Sequence, residues 1–213
     1  MKTENLISML ATSVQPVEPN AVQRRYVAAL GWGAFGATLL MAIWLGVRRD
    51  IGVASLLPMF WVKLAFPGVL LVGAVMAAQS LSQPGTRIGR AGYWIGVPVL
   101  VMWLLGALSL AGANAEVRER LFFGISWTVC PFYIAMLSIP GFVAIGWAMK
   151  GLAPTRLALS GAVAGFAAGA LGALTYALYC PEMAAPFLGI WYLAGMLIPA
   201  VVGALLGPLL LRW

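Results

Sequence analysis

Six stretches of the chain, residues 26–47, 59–78, 93–113, 122–149, 157–179 and 187–211, run almost without interruption through apolar residues. A helix needs about 20 such residues to cross the hydrocarbon of a bilayer. Apolar residues make up 62% of the 213 positions and charged residues 9%, against about 25% charged in a soluble domain. The mean hydropathy is +0.96. The runs are apolar on every face and lack the alternation of a transmembrane barrel strand. The expectation is therefore an all-α membrane protein, a bundle of six transmembrane helices (26–213) preceded by a short cytoplasmic segment (1–25). A soluble enzyme, a secreted disulfide scaffold and a disordered chain are excluded at this point. The fourth run is long and contains Pro131 and Pro140, so a tilt or kink is expected there.

The net charge of +7 is no signal for nucleic acid, because no basic run exceeds two residues and none can track a phosphate backbone. It follows the positive-inside bias instead. Lys2, Arg24, Arg25, Arg87, Arg90, Lys150, Arg156 and Arg212 share one side of the expected bundle. Arg48, Arg49, Arg118 and Arg120 lie on the other, with Lys63 just inside the second run. Eight basic residues against five place both termini in the cytoplasm of a bacterial inner membrane. The first 25 residues have no apolar core of a signal peptide. Residues 3–12 are helix-like, with Thr3 as a cap and Leu6, Ile7 and Leu10 on one face. The stretch 14–20, with Pro16 and Pro19, then breaks the helix. A short amphipathic helix on such a tether suits docking to a partner; it also suits an interfacial start to the first span.

Little catalytic equipment remains. The chain has no histidine, which removes the commonest general base and metal ligand. Lys63 is the one charged residue inside the apolar part of a span. Its position beside Phe60-Trp61 fits a side chain snorkelling to the headgroups, and it also fits an ion pair with Asp50 or Glu182. Intramembrane acids, the usual parts of a proton or ion pathway, are missing. Gly161, Gly165 and Gly169 recur every four residues in the fifth span, a spacing that lets a helix pack closely. The sixth span repeats the device with Gly203 and Gly207, and packing within one six-helix bundle is the expectation, although the spacing does not name the partner helix. Cys130 and Cys180 are too far apart in sequence for a CxxC pair. Counted along continuous helices, Cys130 lies about 12 Å below the outer end of the fourth span and Cys180 ends the fifth on the same side. Two thiols in one leaflet fit a thiol sensor, a structural disulfide or a transient soft-metal site; a buried cysteine also serves as a small apolar residue.

The order of short motifs along the chain resembles the NrsF-like family of bacterial anti-sigma factors with six membrane helices. The motifs are Thr3-Glu4-Asn5-Leu6-Ile7, Pro16-Val17, Arg24-Arg25, Arg48-Arg49-Asp50, Phe60-Trp61-Val62-Lys63-Leu64, Ala153-Pro154-Thr155-Arg156, Cys180-Pro181-Glu182 and the ending Gly207-Pro208-Leu209-Leu210-Leu211-Arg212-Trp213. Tyr179 stands where a histidine is expected and Asn5 where an acid is expected. The resemblance implies a binding protein rather than an enzyme, with no cofactor. It implies that an extracytoplasmic-function sigma factor is held at the membrane by Leu6, Ile7 and Leu10, with Glu4 at the rim of the contact. It further implies release on a stress, soft metals or oxidants, acting on Cys130 and Cys180. Two competing classes are a membrane thiol oxidoreductase and a small transporter. The first normally needs a close cysteine pair at each relay step, and the second tends to show repeated halves.

Overall fold

The computed structural model describes residues 3, 7, 8, 20–82, 89–152 and 154–212. Among them the regular structure is helical throughout. A chain in hydrocarbon must satisfy its own backbone hydrogen bonds, and a helix does so within one segment. The elements are α1 (Ala21–Trp44), α2 (Pro58–Leu81), α3 (Ala91–Ala111), α4 (Ala115–Phe123), α5 (Cys130–Leu137), α6 (Ile139–Lys150), α7 (Leu157–Tyr176) and α8 (Ala185–Leu210). Five of these, α1, α2, α3, α7 and α8, are long and apolar enough to cross a membrane. The pair α5 and α6 makes a sixth if it is one bent span. Helix α1 begins at Ala21, ahead of the apolar run expected from residue 26.

Helix α7 is the axis of the bundle. Its buried residues are mostly Gly and Ala, with Leu171 against α1 and α6, and α1, α2, α5, α6 and α8 all pack on it. Two-thirds of its apolar window is buried, 67% against 11% for α3. Bulky Leu, Val and Trp side chains on α3 stay exposed, as expected of a helix with lipid on most sides. The closest contact in the bundle is α7 against α8. Gly161 lies on Gly203 and Gly207, Gly165 on Pro199, and Gly169 on Met196. A Cβ added to Gly169 would stand 2.8 Å from the Met196 Cα, nearer than van der Waals contact allows. With no hydrophobic drive between helices in lipid, such backbone proximity supplies the dispersion energy that holds them.

Two elements depart from simple spans. Helix α8 carries a π-helical turn at Leu188–Tyr192; turns of this kind gather at functional sites. The fourth run is not one kinked helix beginning near residue 122. Helix α4 is a separate amphiphilic helix with no buried residue, and it stops at Gly124, whose φ of +56° only glycine adopts easily. Irregular turns follow until Cys130, and the axis then bends by 43° between α5 and α6. That bend falls just before Pro140, which has no N–H to continue the ladder. Pro131 lies in the first turn of α5, where its missing donor is harmless, so it opens a helix rather than hinging one.

The bundle has two chemically different ends. Arg24, Arg25, Arg90, Lys150, Arg156 and Arg212 mark the basic end, at the start of α1 and the end of α8. Arg48, Asp50, α4, Cys130, Cys180 and Glu182 mark the other, the cysteine end.

Candidate functional site

The cysteine end is assembled around the Gly124 turn and the loop after α7. Helix α7 closes at Tyr176, and the next turn brings the Cys180 N–H onto the Tyr176 carbonyl at 2.9 Å. Glu182, two residues on, reaches across and accepts the Ile125 N–H through Oε1 at 2.7 Å. A Cβ on Gly124 would lie 2.6 Å from that carboxyl carbon, so glycine is required there twice, for its conformation and for space. The same turn leads directly into Cys130, whose N–H donates to the Ser126 carbonyl at 2.9 Å. Glu182 thereby ties the loop that carries Cys180 to the turn that precedes Cys130.

Both cysteines are fully buried free thiols. Cys130 is the first residue of α5. It is not a mid-helix residue 12 Å below a helix end, because the fourth apolar run is broken at Gly124. The side chain of Tyr176, also fully buried, lies against both thiols and against Ser126. Its ring neighbours those of Tyr133, Tyr179 and Tyr192 at centroid separations of 6.1, 5.9 and 5.8 Å. The Tyr192 hydroxyl, presented by the π-helical turn, is buried without a hydrogen bond, as is the Ser126 hydroxyl.

Lys63 completes the group and was not legible as part of it. The side chain does not snorkel and does not form the ion pair considered above. It is fully buried, and its Nζ donates to the Cys180 carbonyl at 2.5 Å, 5.8 Å from the Tyr192 ring centre. Arg48 Nη1 reaches the same carbonyl at 3.4 Å. The other edge of Arg48 makes a fork on Asp50, with Nε to Oδ1 at 2.7 Å and Nη2 to Oδ2 at 2.6 Å. Hydrogen bonding to that guanidinium holds the Asp50 carboxyl down at about 2 and raises Arg48 above its ordinary value. The available signal for Lys63 was its isolation: an ionisable residue alone in a span marks a functional position by default.

The arrangement offers two thiols to one partner hydroxyl, at a site lined by protein and buried from solvent. It can hold the pair reduced, let them join, or present them to a soft ion. Cys130 and Cys180 are the residues that would ligate such an ion. Among the described residues no group of three or more His, Cys, Asp or Glu side chains comes together, so the chain would contribute two sulfur ligands. Above this site, Phe122, Phe123, Trp127 and Trp191 form an aromatic cluster, with Trp127 and Trp191 centred 5.1 Å apart. Trp191 Nε1 donates to the Phe122 carbonyl at 2.9 Å and so binds α4 to α8.

Of the residues expected to form an N-terminal docking face, Glu4, Leu6 and Leu10 lie outside the described residues. Thr3, Ile7 and Ser8 are helical, and Ile7 is 61% exposed.

A family described as "Negative regulator of sigma F" matches residues 10–213. The chain is 53% identical over its whole length, and the whole of the relative, to the probable anti-sigma-F factor NrsF of Azospira oryzae. It is 38% identical, again over all of both chains, to the anti-sigma-F factor NrsF of Caulobacter vibrioides. No solved structure matches. The similarity extends from before the first span to the last residue, and the chain belongs to the NrsF family of negative regulators of sigma F.

Proposed function

We propose that this protein is a membrane-bound anti-sigma factor that sequesters an extracytoplasmic-function sigma factor and releases it when the Cys130–Cys180 pair reacts. The observation that carries the reading is full-length similarity to two anti-sigma-F factors. The relatives are regulators, and the catalytic alternatives gain nothing from the geometry: two lone cysteines complete at most one disulfide, not a relay. The sigma factor docks on the N-terminal segment, with Leu6, Ile7 and Leu10 as apolar anchors and Glu4 at the rim. The basic end faces the cytoplasm of the inner membrane, with both chain termini on that side, in keeping with the distribution of Arg and Lys. The cysteine end then faces the oxidising periplasm, where a thiophilic ion or an oxidant meets the pair. Reaction there shifts the loop after α7, and α7 carries the shift because α1, α2, α5, α6 and α8 all pack along it.

The test uses the cognate sigma factor and fractionated membranes. With the intact chain the sigma factor sediments with the membrane; deleting residues 3–12 moves it to the soluble fraction while the bundle still inserts. Cys130→Ser or Cys180→Ser each abolishes release by a soft metal or oxidant, and the double substitution adds little. Sigma factor still membrane-bound after the deletion would refute the docking assignment. Additive effects of the two serines would refute a shared thiol site.

A further inference from the structure

At the basic end, a groove of about 280 Å³ runs between α6 and α8 with α7 as its floor. Its walls are Phe142, Trp147 and Leu210, and its floor is Gly161 of α7 where it meets Gly207 of α8. The floor glycines are explained by the close contact of α7 and α8. Gly146, on the α6 wall, is not: a Cβ placed there would meet no atom within 4 Å. This glycine serves no helix contact and leaves the groove open. The volume lies at the lower bound of ligand pockets, about 300 Å³, room for a stretch of methylene groups rather than a whole amphiphile.

The mouth of the groove is cationic. Lys150 lines it and is exposed. The Arg25 guanidinium sits 5.9 Å over the Trp147 ring. Among the described residues neither cation has a carboxylate in ion-pair range. All four described acids, Asp50, Glu116, Glu119 and Glu182, belong to the cysteine end. An apolar slot among membrane-crossing helices, beneath two cations with no described carboxylate in ion-pair range, has the form of an acyl chain under an anionic headgroup. Basic pockets between transmembrane helices bind such headgroups.

We propose that this groove binds one acyl chain of a phospholipid with an anionic headgroup, which Lys150 and Arg25 hold. The site is independent of the thiol pair and of the docking segment.

Native mass spectrometry of the full-length protein in detergent, titrated with dioleoylphosphatidylglycerol or dioleoylphosphatidylcholine, tests it. The expected result is one retained phosphatidylglycerol, preferred over phosphatidylcholine by about fivefold or more, since each cation near a lipid headgroup contributes on the order of a fivefold gain. Lys150→Gln lowers that preference by about fivefold on the same basis. Gly146→Leu, which fills open space, removes the bound lipid while circular dichroism shows the helical content unchanged. Equal retention of the two lipids would overturn the proposal, as would phosphatidylglycerol binding that neither substitution alters. A protein dimer that Gly146→Leu dissociates would overturn it in favour of a second copy as occupant.

Discussion

At the cysteine end, Lys63 and Arg48 turn inward and share one backbone carbonyl, that of Cys180. At the basic end, Arg156 and Lys150 turn outward, and no described acid lies near them. The same residue types thus do different work. In one place they hold a loop and a helix together under low dielectric, where a charge without a partner is costly. In the other they remain solvated, where a charge without a partner costs little. Glycine divides in the same way. Gly124 is confined by its backbone angle and by Glu182, whereas Gly146 faces open space. The cysteine end is fixed by contacts between residues far apart in sequence; the basic end is defined by charge.

Charge reversal separates the ends most strongly. Lys63→Glu buries a carboxylate against the Cys180 carbonyl and should destabilise the bundle by about 3–5 kcal/mol, the cost of a buried charge left without compensation. Arg156→Glu, at an exposed position before α7, should stay within about 0.5 kcal/mol. Thermal unfolding of the two variants in the same detergent measures both, and equal midpoints would remove the distinction. The glycines give the next largest contrast. Gly124→Ala should cost about 1–3 kcal/mol for the strained backbone alone, with the Glu182 contact added. Gly146→Ala should stabilise by about 0.5–1 kcal/mol, because alanine is the better helix former. Opposite shifts in the same unfolding assay are the expected outcome.

The smallest effect is set by pH. Asp50 is depressed in the folded protein from 3.8 to about 2. Its contribution is therefore fully present above pH 3.8 and is lost as the pH falls through about 2. Asp50→Asn should remove that contribution, so the variant is slightly less stable at neutral pH, converges with the parent protein below about pH 2, and has a flatter acid limb between those values. An acid limb identical in the variant would assign that limb to other carboxylates.

Much of this fold is written in local composition. The apolar runs locate the membrane helices, because length and hydropathy are properties of a segment. The glycine spacing in residues 161–169 indicates a close helix contact, although the spacing alone does not name α8 as the partner. The break at Gly124 escapes such reading, since one glycine in an apolar run is compatible with a helix until Glu182, far along the chain, occupies the space beside it. The extra residue of the π-helical turn in α8 leaves no mark in composition either. Lys63 was misread for a related cause. Snorkelling is the low-energy choice for a lysine with only its own helix to consider. The competing acceptor, the Cys180 carbonyl, is 117 residues away and points inward only because α7 ends at Tyr176. The cysteines were visible as a pair, but Tyr176 and Ser126, which line the space around them, carry no signature in an apolar sequence.

The tryptophans above the thiol site give the protein a built-in spectroscopic gauge. Trp127 and Trp191 stand 5.1 Å apart with their planes inclined at 47°, close enough for their excited states to mix. Among the described residues the remaining indoles have no indole neighbour. Among the described residues the strongest indole exciton couplet in circular dichroism therefore originates from the cysteine end. It follows the distance between the turn before Cys130 and the start of α8 without any label. Recorded while a thiol reagent is titrated in, it would time the movement of that end separately from whatever happens at the opposite face of the membrane.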